Sequence, residues 1–548
     1  MNSFDIAVIG IFTAIVFFSG IRFSKSGKNM SSFFAAGGAL PWWMSGLSLF
    51  MSFFSAGTFV VWGSIAYQSG WVAVVIQWTM CIAGLVIGFI VAPKWQKTKA
   101  LTAATFISNR LGVQTQKIYT YLFLFISLFT TAAFLYPVAK IVEVSTAIPI
   151  NVSIIFLGIL ILVYTAVGGL WAVIVTDVLQ FVVLTAAVLI VVPLSFQKIG
   201  GIQTFVAQAP ENFFAFVNQE YSIGFMVAFG LYNLFFIAGN WAYVQRYTSV
   251  SSPRDAKKVG WLFGGLYAIS PVIWMLPPMI YRVMNPDLQG LADEGAYLLM
   301  CKEVLPVGVL GLMLGGMVFA TSSSVNTTLN ISAGVIANDI YKRIFPKTED
   351  RKLVNIGKTA TVILGMLTIG IALLVPLLGG IVEVVMSIAA LTGTAMFLPP
   401  IWALFSTRLT GKLAIGITAI SLFINGFFKF FSPTLLEVSL SRATEMMVGV
   451  GVPIVLLSLL EIILFQKKAT SQQYLSYQNK QHKIIEATPN EESNTKGFRV
   501  IGFGVALTGV LLLLLAAVAN HSALLVGLMG SLVLSIGVII IRKAKKND

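Results

Sequence analysis

Charge is what this sequence is shortest of. Only 10% of its 548 residues are Asp, Glu, Lys or Arg, while 57% are hydrophobic. Soluble globular chains carry about a quarter charged residues, so a water-soluble protein of this size is excluded. Cysteine and histidine are nearly missing, with two of each. Cys81 lies in an apolar run and Cys301 in a loop, which gives neither a disulfide framework nor a metal site. His482 falls in a polar stretch and His521 in a short turn, so neither provides a histidine proton relay. No G-x-x-x-x-G-K-[ST] motif occurs and no polar segment could hold a nucleotide-binding domain, which argues against an ATP-driven pump. No nucleophile–base pair stands out, so the chain does not read as an enzyme. Short alternating apolar runs are absent too, which excludes a membrane β-barrel.

Long apolar runs are abundant. Each run of about 18 or more residues can cross ~30 Å of hydrocarbon as a helix, and only helices satisfy their own backbone within one segment there. Fifteen spans are expected, near 5–22, 41–68, 71–93, 117–143, 150–167, 169–195, 222–245, 259–283, 306–337, 355–377, 380–406, 412–430, 443–464, 498–519 and 523–541. The first reads as a retained span: Asp5 stands where a signal peptide wants Lys, and no A-x-A-like site follows. The net charge of +15 reads as a topology signal rather than a nucleic-acid patch. With the N-terminus outside, most Lys and Arg fall on inner loops and in the C-terminal tail. Only Lys140, Lys198, Arg282, Lys302, Lys429 and Arg442 remain for the outer side. The C-terminus is then cytoplasmic, and 466–497 is a polar cytoplasmic linker.

Polar groups at mid-membrane are costly and therefore functional candidates. Span 41–68 carries Ser45, Ser48, Ser52, Ser55, Gly57 and Thr58. Its small residues either let the helix unwind and free carbonyls for a hard cation, or serve close helix packing. Span 306–337 carries Thr321, Ser322, Ser323, Ser324, Asn326, Thr327, Thr328 and Asn330. Neutral hydroxyl oxygens suit a monovalent ion, against the alternative of serines bonding back to their own helix. Asp177 is the one acid well inside span 169–195, so it must be neutralised, paired or bound to a cation. Glu143, Glu383, Glu445 and Glu461 sit near span ends and read as solvated caps. In span 222–245, Gly230, Asn233, Gly239 and Asn240 punctuate a second helix, five spans after the first, as an inverted repeat requires.

These residues resemble the sodium/solute symporter family over roughly 5–465. PWWMSGLSLF at 41–50 is similar to the start of its first core helix, and YTAVGGLWAVIVTDVLQ at 164–180 to its fifth. NWAYVQR at 240–246 resembles the end of the sixth. SSVNTTLNISAGVIANDIYKR at 323–343 resembles the eighth, with Thr327 in place of a family serine. The resemblance implies an all-α, polytopic membrane protein with a leucine-transporter-like 5+5 inverted repeat. One extra N-terminal helix (1–40) and about four C-terminal helices flank the core. The first half is 41–245, holding the first repeat (41–195) and then the first helix of the second; 246–406 is the remainder of the second repeat. Peripheral helices (407–465), the linker and a C-terminal pair (498–548) follow. The implied sodium site comprises carbonyls of Met51, Phe54 and Ala320 and hydroxyls of Ser323 and Ser324. Asp177 and Ser324 match a second sodium site found in some members. The implied substrate site comprises Thr58, Gln77, Asn233, Phe236, Tyr267 and Ala389. Gly57 and Ala389 offer no side-chain hydrogen bond there, which puts galactose-like recognition in doubt.

The resulting expectation is a sodium-coupled symporter that imports a small organic solute by alternating access. Sodium is the coupling ion, with no organic cofactor, no nucleic-acid partner, a lipid bilayer around the chain and the plasma (inner) membrane as its location. The alternatives are a proton-coupled carrier, with Asp177 titrating, and a transporter-like sensor or scaffold.

Overall fold

The computed structural model describes residues 3–24, 40–100, 102–146, 148–164, 170–468, 470–485, 495–519 and 522–546. Among them the chain is helical, apart from one isolated parallel bridge between Leu40 and Val250. The main helices are α1 (Ser3–Ser24), α2 (Trp42–Met51, then Thr58–Trp62 running into Gly63–Ser69), α3 (Val72–Lys97), α4 (Val113–Thr146) and α5 (Ile150–Tyr164). Next come α6 (Leu170–Ile199), α7 (Ile223–Gly239 and Trp241–Thr248), α8 (Pro253–Met284), α9 (Val309–Ile344) and α10 (Asp350–Leu374). The chain continues with α11 (Ile381–Trp402), α12 (Gly411–Leu435), α13 (Arg442–Gln466), α14 (Thr495–Val518) and α15 (Ala523–Lys546). Among the described residues eleven helices are long and apolar enough to cross a membrane, or twelve with the bent pair of α7 counted as one.

Burial sorts these helices into a centre and a rim. In α9, 82% of the most apolar window is buried, against 22% in α13 and in α15, whose exposed Leu and Ile fit lipid contact. Helix α9 packs against α1, α4, α6 and α10, so the hydroxyl-rich stretch sits at the molecular centre. Its start is fixed by Asp5, 3% exposed, which accepts the amides of Gly308 (2.7 Å) and Gly311 (3.2 Å). An acidic acceptor for free amides at a helix start is the arrangement that capping favours. Helices α3 and α8 cross in backbone contact through small residues. A Cβ on Gly260 would lie 2.6 Å from the Gly88 Cα, which is why a side chain is missing there.

Two expectations need correction. The polar stretch 466–497 is not only a linker: Gln472–Ile485 is a helix docked on the body. Gln473 donates to the Leu111 carbonyl (3.1 Å) and accepts the Gly411 amide (2.9 Å). Beside it Arg110, fully buried, donates to the carbonyls of Ser406 (2.6 Å) and Leu409 (3.2 Å). Nor are the span-end acids merely solvated caps. Glu383 pairs with Lys429 (3.0 Å) and Arg442 (3.1 Å), Glu445 with Lys429 (2.9 Å), Glu461 with Arg408 (2.9 Å) and Glu143 with Lys140 (2.9 Å). All but Glu143 find their cation on another helix or loop, which sequence spacing does not show.

Candidate functional site

Helix α2 breaks at 52–55, in the middle of the small-residue stretch. The break is visible in where the amides go. The Ser55 amide turns to the Phe53 carbonyl (3.1 Å) and Thr58 Oγ1 (3.2 Å) instead of to Met51. The Ala56 amide crosses to α9 and donates to Thr321 Oγ1 (3.0 Å). The Thr58 amide goes to Ser55 (3.0 Å) rather than to Phe54, and its hydroxyl donates to the Phe53 carbonyl. The carbonyls of Met51, Ser52 and Phe54 therefore lose the i+4 amides that a continuous helix would supply. Met51, Phe54 and Ala320 are each 2% exposed, so these oxygens are held away from bulk water. Helix α7 breaks in the corresponding place. Its halves bend by 62° at Asn240, whose Oδ1 accepts the Ala242 amide (3.0 Å) and caps the second half.

On α9, Thr321 is fully buried and donates to the Met317 carbonyl (2.9 Å). Ser324 reaches the Ala320 carbonyl at 3.4 Å, a long bond that leaves the hydroxyl's lone pairs available. Ser322 and Thr328 bond back to their own helix, so part of the stretch serves local satisfaction. The Ser323 side chain lies outside those described, as do Asn330 and the two glycines of the 164–180 motif.

Two cavities meet at the breaks. One is lined by Asp177, Arg246, Ser324, Thr327 and Thr328, among others. The fully buried Ser48 Oγ donates to Asp177 (2.5 Å) and accepts from Arg246 Nε (3.3 Å), so an acid and a guanidinium flank one serine. The other is lined by Ser52, Phe53, Gly57, Thr58, Asn233 and Phe236, among others. Phe236 and Tyr243 belong to both cavities, and with Phe53 they form an aromatic wall, with ring centroids 4.9 to 6.4 Å apart. Of the six residues expected at the substrate site, Thr58, Asn233 and Phe236 reach the second cavity. Gln77, Tyr267 and Ala389 do not. Gln77 lies behind the wall, where its Oε1 accepts the Trp274 indole N–H (3.0 Å). Tyr267 is 1% exposed and wedged among Phe50, Phe263 and Trp274. Ala389 is 1% exposed inside a π-turn.

Sequence reasoning missed Phe53, Tyr243 and Arg246 as part of this region, and named Ser48 only as one of the small residues of span 41–68. Arg246 closes the NWAYVQR motif, and Ser48 belongs to the small-residue run, so both were within view. Nothing in the spacing marks Phe53 or Tyr243, because their role depends on the two breaks facing each other.

The architecture has known counterparts. A solved Na+-coupled sialic acid symporter, in a substrate-bound outward-open state, superposes with a TM-score of 0.71 at 20% identity, covering 84% of this chain and 98% of that one. The leucine-transporter-like arrangement expected from sequence is thus the fold observed. The sodium/glucose cotransporter of Vibrio parahaemolyticus is 29% identical over 463 residues, which is 76% of this chain and 84% of the relative. The sodium/sialic acid symporter of Proteus mirabilis is 28% identical over 358 residues, 62% of this chain and 71% of the relative. The model of the sodium:solute symporter family matches residues 33–418. This chain belongs to the sodium:solute symporter family.

Proposed function

We propose that sodium binds where the broken middle of α2 meets α9, held by the carbonyls of Met51, Phe54 and Ala320 and the hydroxyls of Ser323 and Ser324. The observation that carries this is the Ala56 amide bond to Thr321 Oγ1, which fixes the break against α9 one residue from Ala320. Carbonyl and alcohol oxygens are the ligands a hard monovalent cation takes at a broken helix. The ion steadies the two helices, and the same break lines the solute cavity. Solute and sodium therefore raise each other's affinity, as a coupled carrier requires. The membrane potential assists entry by ~2.3 kcal/mol per charge per 100 mV.

One sodium ion suffices in this reading. Asp177 and Ser324 share a cavity, which favours a second site, but Arg246 already places a cation beside Asp177. Among the described residues lining the solute cavity none is Asp, Glu, Lys or Arg. Arg246 and Asp177 line the adjoining cavity instead, so the part of the solute seated on the aromatic wall presents an apolar face. The positive-residue asymmetry supports an N-terminus outside and a C-terminus in the cytoplasm.

The test is thermal unfolding of purified protein against a solute library, in sodium and in potassium. Sodium-linked stabilisation is expected for the intact protein and lost in Ser323→Ala and Ser324→Ala. Stabilisation that survives both substitutions unchanged removes the site assignment. Uptake that persists without sodium favours proton coupling, and binding without accumulation favours a sensor.

A further inference from the structure

Four rings line up along the first half of α7. Phe225, Phe229, Tyr232 and Phe236 recur every three or four residues, so they share one face of the helix. Successive centroids lie 5.4, 5.5 and 5.3 Å apart, with planes 10°, 31° and 19° from parallel. The last three of these rings line the solute cavity. At the helix breaks the stripe turns a corner, where Phe53 and Tyr243 stand edge-on to Phe236 at 77° and 80°. One more ring, Phe134, comes from α4. That helix packs on α9 and α10, whereas the first half of α7 packs on α3, α11 and α13. Phe134 lines both cavities, as Phe236 and Tyr243 do, yet among the described residues it stacks on no other ring. Phe53, Phe134 and Phe236 are only partly buried, so each keeps ring surface for a ligand.

The polar groups among these rings are largely spent. Ser52 donates to the Ser48 carbonyl (3.0 Å), Thr58 to that of Phe53 and Thr130 to those of Ile126 and Ser127 (3.2 Å each). The Asn233 amide donates to Thr79 Oγ1 (3.0 Å). A polyhydroxylated solute would meet hydroxyls whose protons are already committed. What the cavity has in surplus is ring surface. Aromatic rings carry a negative face and a positive edge, so a flat ring gains from offset or edge-to-face contact beyond the area it buries, and a puckered saturated ring does not.

Resting on the reading of this cavity as the solute site, we propose that the solute carries a planar aromatic ring, seated between Phe134 and the corner formed by Phe53, Phe236 and Tyr243. Tyr243 and Arg246 lie three residues apart on the short helix Trp241–Thr248. A substituent on the seated ring therefore leads towards the adjoining cavity, which Arg246 and Asp177 line.

The experiment compares ring twins that share one polar group and differ in the ring. The pairs are benzamide and cyclohexanecarboxamide, benzoate and cyclohexanecarboxylate, and benzylamine and cyclohexylmethylamine, with D-galactose as a polyhydroxylated probe. Each is titrated against the thermal midpoint of purified full-length protein, in sodium and in potassium. A merely apolar cavity would favour the saturated twin, which is the more hydrophobic. In at least one pair the aromatic member is expected to half-saturate at a concentration roughly 4- to 100-fold lower than its twin, from about 2- to 10-fold for each of two ring faces. Phe134→Leu and Phe236→Leu keep apolar bulk and are expected to bring the twins together, while half-saturating sodium measured without probe stays in place. Either variant serves alone if the other does not fold. Absence of a ring preference in every pair overturns the proposal. So does a preference that survives both substitutions, or D-galactose half-saturating below every aromatic probe. The sodium site is read separately, from the midpoint shift that sodium gives without probe. That shift without a ring preference sinks the aromatic seat and leaves the sodium site standing. A ring preference without that shift supports the seat and removes the sodium site.

Discussion

Replacing Thr321 with valine keeps the shape of the side chain and removes one hydroxyl. In the structure that hydroxyl accepts the Ala56 amide at 3.0 Å, and both residues are fully buried. Water cannot easily replace the lost acceptor, so the amide is left unsatisfied whenever the α2 break lies against α9. A buried unsatisfied donor costs about 1–3 kcal/mol. If that cost falls on the sodium-competent geometry alone, half-saturating sodium rises roughly 5- to 150-fold, at tenfold per 1.4 kcal/mol. The assay is a sodium titration of the thermal midpoint at constant ionic strength, with potassium as the balancing ion. Thr321→Ser keeps the acceptor and is expected to titrate near the native concentration. A general loss of stability would lower the midpoints in sodium and potassium alike without moving the half-saturation point. Thr321→Val titrating at the native sodium concentration refutes the reasoning.

Other expectations follow from single contacts. Gly260→Ala forces a methyl onto the Gly88 backbone and is expected to cost about 1–3 kcal/mol in thermal unfolding. Gly265→Ala, with open space around it, is expected to be neutral or to stabilise by up to ~1 kcal/mol through helix propensity. Asp5→Ala leaves the amides of Gly308 and Gly311 without their acceptor and is expected to destabilise the fold by about 1–3 kcal/mol for each amide that stays dry, read as a lowered unfolding midpoint. Gln473→Ala unties the helix Gln472–Ile485 from Leu111 and Gly411, so limited proteolysis there is expected to speed up while the sodium titration stays in place.

The helices were legible in the sequence because the membrane imposes one solution on every apolar run. The place of the α2 break was marked too, by its small and hydroxylated residues, but the same residues suit close helix packing, and only the amide contacts at 55–58 decide between the two. What did not show was any contact joining distant segments. Glu383 looked like a solvated cap because Lys429 and Arg442 lie 46 and 59 residues away. Asp5 was read only as an argument against a cleaved leader, yet it caps a helix about 300 residues further on. Gln77 kept a good hydrogen-bonding side chain at the expected position, but Trp274 takes it out of the cavity. The docked helix Gln472–Ile485 was missed because its anchors are single polar residues, not an apolar stripe.

Under the proposed sodium site, coupling comes down to eight residues with two faces. From Met51 to Thr58 the chain cannot form a regular helix, because its amides are drawn to Phe53, Ser55, Thr58 and Thr321. One consequence is that the carbonyls of Met51, Ser52 and Phe54 lack their helical donors, in the stretch that Ala56 ties to α9. The other is that Ser52, Phe53, Ser55, Gly57 and Thr58 line the solute cavity on the opposite side. An ion that fixes the first face fixes the wall of the second at no further conformational cost, and a solute seated on that wall steadies the carbonyls in return. Reciprocal affinity needs no long pathway between the sites when one segment forms part of both. The same logic explains why a continuous, well-bonded α2 would fold more comfortably and transport nothing: it would offer neither free oxygens for an ion nor a wall that moves with them.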